Sequence, residues 1–181
     1  GLTTAQVANL GTAQVAALTD MQFKQLSTAN VKALTSDQAK ALTGAQLGAL
    51  SSAQVGAIQT DDLAKLTADQ VAGISTAAVV GLTATQTAAL SSDQLAALTT
   101  AQTAALSTAQ VVALTTAQVD ALTTAQLQQL SQTQVGNLST TQLQAITTTD
   151  LQTLLTGQIS ALKTNQVANL TTDQAKALTT A

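Results

Sequence analysis

Cysteine, histidine, proline, tryptophan, tyrosine, arginine and glutamate are all missing from this 181-residue chain. Each absence closes a route. Without Cys there is no disulfide to staple a small core. Without His as well, the usual zinc ligand sets and the Ser-His or Cys-His nucleophile pairs cannot be assembled. Met21 is the one methionine and Phe23 the one aromatic residue. The 45% hydrophobic content is therefore almost all Ala, Leu and Val, and any core must be built from small repeated pieces.

Charge is scarce too. Nine Asp against six Lys give a net charge of -3, too mild and too dispersed for the basic footprint that phosphate binding needs. No nucleic-acid partner is expected. Long apolar runs are also lacking, because Thr, Ser or Gln interrupts each one, so no membrane insertion is expected. Nor are cofactors, metals or catalysis: the hydroxyls are abundant but have no base to activate them. Asp61 and Asp62 are adjacent carboxylates, yet calcium wants six to eight oxygens, and they read better as first-turn helix residues.

What is present is one motif. Leu or Ile recurs every eight residues from Leu2 to Leu178 without exception. With that residue as position 0, the consensus is Leu-Thr-Thr-Ala-Gln-Val-Ala-Ala. Position 1 is Thr or Ser in 19 of 23 octads and position 4 is Gln in 18 of 22, so position, not composition, is being specified. The pattern fills residues 1–181 as a single solenoid array. Both ends fall in mid-pattern, which is expected of a segment of a longer array.

Period eight excludes two simple structures. At roughly 100° per residue a continuous helix would rotate the Leu row by about 80° per octad, leaving no stable apolar face. In a strand, positions 0 and 5 differ in parity and would point to opposite faces. A short helix restarted in each octad fits. The position 1 hydroxyl is an N-cap, the position 4 Gln completes a capping box, and positions 0 and 5 form a hydrophobic staple. Leu114, Thr115, Gln118 and Val119 fill these roles, as do Leu106, Ser107, Gln110 and Val111.

The charges sort accordingly, as the helix dipole favours. Eight of nine Asp occupy positions 2 to 4, the first turn, and five of six Lys, Lys65 among them, occupy positions 6 and 7, the last turn. The expected fold is thus all-α: a tight α-solenoid of short capped helices of about six residues, one per repeat. Small residues at positions 6 and 7 would let coils approach. The number of helices per coil is left open. A β-solenoid is the alternative, since Thr and Val favour strands, but it leaves the Gln register and the charge sorting without a cause.

Runs such as Leu98-Thr-Thr-Ala-Gln-Thr-Ala-Ala and Leu114-Thr-Thr-Ala-Gln-Val-Asp-Ala resemble octapeptide-repeat regions of large secreted bacterial proteins labelled haem-utilisation or adhesion proteins. The resemblance spans the chain and implies an extracellular or cell-surface structural region. It carries no haem ligand over, because His, Cys and Tyr are absent.

The function expected from these readings is a structural spacer or fibre-forming region of a bacterial surface or secreted adhesin-like protein. Such an array self-associates through end or lateral stacking, since solenoids normally need polar terminal repeats to stay soluble. The alternative is a binding module that uses ordered Thr/Ser ladders on ice, carbohydrate or a mineral surface. Irregular octads are where a grafted patch would sit: Met21 and Phe23 in one, Gln59 at the cap of another, Leu155 at the cap of a third. Phe23 reads as a larger staple partner. Thr87 and Thr103, which replace Val at position 5, can bond back to the preceding turn.

Overall fold

The computed structural model describes residues 1–178. It contains one short helix in each octad, from Thr4–Ala8 to Thr172–Leu178, and no strand among the described residues. The chain is an all-α solenoid. Helices run four to seven residues, most of them five, so the expected length of six is slightly long. The C-cap at position 7 usually keeps αR backbone, as at Ala113 and Ala121. Position 1 is extended, with φ -72° and ψ 162° at Thr115. No described residue, glycine included, has a positive φ. Each described corner is thus made by ordinary extended backbone, with no residue in the left-handed region.

Three helices make one coil. The helix pairs in substantial contact are all three apart in chain order. Thr100–Ala105, for example, packs on Thr76–Val79 in the coil before it and on Thr124–Gln129 in the coil after. Three eight-residue repeats per coil give a 24-residue period that the sequence alone left open. A five-residue helix is far below the roughly 12–15 residues at which an isolated helix becomes marginal in water, so its stability comes from the coils on either side.

The core runs through the solenoid as two sets of rows. Position 5 is buried throughout the interior, from Val31 and Leu47 to Leu143 and Leu151. Position 0 joins it, from Leu34 to Leu154. The expected staple residues Leu114 and Val119 both lie in this cluster, as do Leu106 and Val111. Phe23 is fully buried as a staple residue. Thr87 and Thr103 are equally buried, and their hydroxyls donate to the Thr83 and Thr99 carbonyls at 3.0 and 3.1 Å, which makes a polar residue tolerable in the row.

Glycines at positions 6 and 7 mark the closest approach between coils. A Cβ added at Gly56 would lie 2.6 Å from the Gly81 carbonyl oxygen, and one at Gly48 would lie 2.9 Å from that of Gly73. Since none of these glycines has a positive φ, their use here is room for the neighbouring backbone rather than freedom of turn.

Candidate functional site

The repeated chemistry of this chain lies in the joint between coils, and it begins with the helix cap. The Thr115 hydroxyl accepts the Gln118 N–H at 3.2 Å, while Gln118 Oε1 accepts the Thr115 N–H at 2.7 Å. Ser107 and Gln110 make the same exchange at 3.3 and 2.6 Å. Both bonds satisfy backbone donors that a helix start leaves orphaned. With Oε1 held in this way, the other end of the same amide is aimed along the solenoid axis.

There Nε2 finds the orphans of a second helix. Gln118 Nε2 donates to the Thr87 carbonyl at 3.0 Å and to the Leu90 carbonyl at 2.7 Å, in the helix end one coil earlier. Gln110 does the same to Val79 and Leu82 at 3.1 and 2.9 Å. One buried side chain thus closes the start of its own helix and, in the corner beneath, the end of the helix that leads into the one it packs on: Gln118 starts Thr116–Asp120, which packs on Ser92–Ala96, and it caps the end of Ala84–Ala89. The bond from position 4 to the position 0 carbonyl 28 residues back recurs at sixteen positions, from Asn30 to Leu2 through Gln174 to Ile146. Apart from the very short Gln102 to Ile74 bond, these span 2.6–3.0 Å. This ladder sets the register between coils, because a slipped coil would leave buried amides and carbonyls unpaired.

Of the three later octads without the rung, Ala78 has no polar side chain to offer, and the two acidic ones obey the same accounting. A carboxylate at position 4 cannot donate to the carbonyls beneath it. Where Asp62 and Asp150 stand there, each accepts instead from a position 2 hydroxyl in the preceding coil, Ser36 and Thr124 respectively, both at 2.5 Å. Asp62 is thereby a buried acceptor, and Asp61 and Asp62 lie in the first turn of Thr60–Leu63. No group of three or more acidic residues that could hold a metal occurs among the described residues.

Two irregular caps lose one half of the exchange and keep the other, and a third, Gln59, loses both. Leu155 and Lys163 offer no side-chain cap, yet their N–H groups still reach Gln158 and Gln166 Oε1 at 2.8 and 2.7 Å. Leu155 is left 55% exposed. Gln59 caps its helix without a side-chain bond and sends Nε2 across to the Lys32 carbonyl at 3.1 Å. Met21 is 75% exposed and lines a shallow open groove with Lys24, Gly48 and Leu50, away from Phe23 in the core. The irregular octads therefore share no common patch.

The charges lie mostly where the sequence places them. The eight Asp at positions 2 to 4 fall in first turns, and Lys24, Lys32, Lys40 and Lys176 in last turns. Lys65 is a correction: its helix ends at Leu63 with Ala64 as C-cap, so Lys65 lies beyond the last turn. Lys163 donates to Asn137 Oδ1 at 2.9 Å across coils. Lys40 Nζ and Asp37 Oδ1 lie 3.7 Å apart on the surface, a geometry worth about 0.2–0.5 kcal/mol.

The octad that builds this joint is a known repeat. The family model described as the ALTTAQ repeat matches residues 21–52, 55–92, 88–124, 102–132 and 143–180. The chain belongs to the ALTTAQ repeat family. No curated protein matches it. In ALTTAQ register, the Ala is position 7, the Leu-Thr-Thr-Ala run covers positions 0 to 3 and the Gln is the ladder residue. The six letters thus span a corner, a cap and the rung that ties the coil to its predecessor. The sequence signals the Oε1 half of this role through the capping box; the Nε2 half passes unseen, because its partner lies 28 residues away. Two spacings could have exposed it: the glycine pairs Gly48 with Gly73 and Gly56 with Gly81, 25 apart, and the pairs Ser36 with Asp62 and Thr124 with Asp150, 26 apart.

Proposed function

We propose that this array is a structural spacer of a secreted or surface-exposed bacterial adhesin-like protein, not an enzyme, in which the number of coils sets reach and self-association extends it. The observation that supports this reading is the uniform joint. Each coil is fastened to its predecessor by the same donor, acceptor and 28-residue step, so coils can be added or removed without new chemistry. Length is then a free variable, which a spacer needs and a binding pocket or active site does not. The secreted, cell-surface location follows from the resemblance to octapeptide-repeat regions. Among the described residues no helix is long and apolar enough to cross a membrane.

The hydroxyl-ladder reading comes second, because most position 1 hydroxyls are engaged in caps and some at position 2 bond across coils. Small-angle scattering on variants with one 24-residue coil added or removed tests the spacer. Helices stacked at ordinary interaxial distances should lengthen the particle by about 8–10 Å per coil at constant cross-section. A length that does not follow coil number would defeat the reading.

A further inference from the structure

One joint inside the array differs from the rest. The coil at 58–81 has a single glutamine rung beneath it, from Gln70 to the Lys40 and Leu42 carbonyls at 3.0 and 2.6 Å. The coils at 34–57, 82–105, 106–129 and 154–177 each have three, and the coil at 130–153 has two. The first and last helices of the coil at 58–81, Thr60–Leu63 and Thr76–Val79, are the only four-residue helices among the described residues. Their caps, Gln59 and Ser75, make no side-chain cap bond.

The three corners of this joint are not equal. At the start of Ala68–Ala72 the Gln70 rung holds. At the start of Thr60–Leu63 two other bonds cross: the Ser36 hydroxyl donates to Asp62 Oδ1 at 2.5 Å, and Gln59 Nε2 donates to the Lys32 carbonyl at 3.1 Å. At the start of Thr76–Val79 no side-chain hydrogen bond crosses, because Ala78 has no amide to send to the Leu50 carbonyl. Gly48 and Gly73 meet at that corner backbone to backbone, so no side chains interlock: a Cβ on Gly48 would lie 2.9 Å from the Gly73 carbonyl oxygen. The groove that Met21 lines ends there too, on Leu50, Ser51 and Ser75. The apolar rows run on through the joint, with Val55 and Val79 both buried, but apolar contact is non-directional and does not hold an angle.

We propose that this joint is a hinge built into the array, which opens at the Leu50–Ser75 corner and pivots on the other two. The coils on either side turn against each other as stiff pieces, each held by two or three rungs per joint. This goes beyond the spacer reading: it places one compliant joint among stiff ones, and either can fail without the other.

Native-state hydrogen exchange on the full chain tests the opening, since helices this short lose their own bonds once a neighbouring coil parts from them. The Leu50 and Ile74 amides donate to the Leu47 and Val71 carbonyls at 3.2 and 3.1 Å. They should be about tenfold or more less protected than the Leu42 and Leu66 amides at the Gln70 corner, or those of Leu98 and Leu122 farther along. Fraying from residue 1 acts on Leu42 before Leu50 and gives the opposite order. Ala78→Gln supplies the missing rung and should raise Leu50 and Ile74 to the common protection. Bending is read separately, with spin labels on introduced cysteines at the exposed positions 29, 77, 101 and 149. The pair 29 and 101 spans three coils across the hinge, and the pair 77 and 149 spans three coils beyond it, so the first should show the broader distance distribution. Uniform protection or equal distance widths in the wild type would overturn the hinge, as would an Ala78→Gln chain that folds and exchanges as before. Should that variant fail to fold, the wild-type comparisons decide alone.

Discussion

Replacing Gln126 by Ala should cost about 2–5 kcal/mol and should rank among the most damaging single changes to a polar residue in this chain. Its Oε1 accepts the Thr123 N–H at 2.9 Å, and its Nε2 donates to the Leu95 and Leu98 carbonyls at 3.1 and 2.7 Å. The residue is buried. Truncation therefore leaves groups in two successive coils without partners, and each buried orphan costs about 1–3 kcal/mol. Urea unfolding followed by circular dichroism reads the loss directly. A cost below about 0.5 kcal/mol, the size of an ordinary surface substitution, would mean that the ladder is incidental to stability.

Gln126→Glu separates the two halves of the role. The carboxylate keeps an acceptor for the cap but sets a second oxygen against the Leu98 carbonyl. Burial and that carbonyl push the introduced carboxyl above its ordinary value. A folded-state value raised above the unfolded one means that the folded chain holds the proton more tightly. Stability is then greatest below the unfolded value near about 4.3 and declines as pH rises through the folded one. Once protonated, the group can donate again. The variant should approach wild-type stability in acid and fall away towards neutrality, with the wild type much flatter across the same range.

Gly81→Ala tests the other inter-coil constraint and should destabilise by about 3 kcal/mol or more. The added Cβ would lie 1.9, 2.5 and 2.7 Å from the Ser52 carbonyl oxygen, carbonyl carbon and Cα. These are backbone atoms and cannot rotate aside, so two coils must separate. Gly44→Ala is the matched control. Its Cβ would meet nothing nearer than the Gly73 Cα at 3.9 Å, and Ala at that helical position should stabilise by about 0.5 kcal/mol. Thermal melts of the two variants should therefore shift in opposite directions. Equal shifts would show that coil spacing adjusts freely at these sites.

These contrasts show which layer of the structure was legible in the sequence. Thr115 with Gln118 and Leu114 with Val119 are local pairs, three and five residues apart, and local pairs leave a local pattern. The coil is not local. Whether three helices or two complete a circuit depends on the angle accumulated over several corners, and nearly identical octads hide any longer period behind the eight-residue one. Irregularities betray it instead. Asp62 looks like a defect in the Gln row until Ser36, 26 residues earlier, supplies its hydrogen bond. The same holds for Asp150 with Thr124. Gly81 looks like drift until the Ser52 backbone is found against it.

The ladder and the glycine contacts both depend on the three-helix coil, and the lack of Cys makes that coil directly measurable. Ala101, Ala109, Ala117 and Ala125 occupy position 3 of successive octads and are all exposed. Spin labels attached through introduced cysteines at 101 paired with 109, 117 or 125 read three sequence separations by electron paramagnetic resonance. Dipolar broadening should be strongest for 101 with 125, one coil apart on the same face at about 10 Å between helix axes, and weaker for the other two pairs. Strongest coupling between 101 and 117 would mean two helices per coil, and distances that simply grow with separation would mean no coil at all.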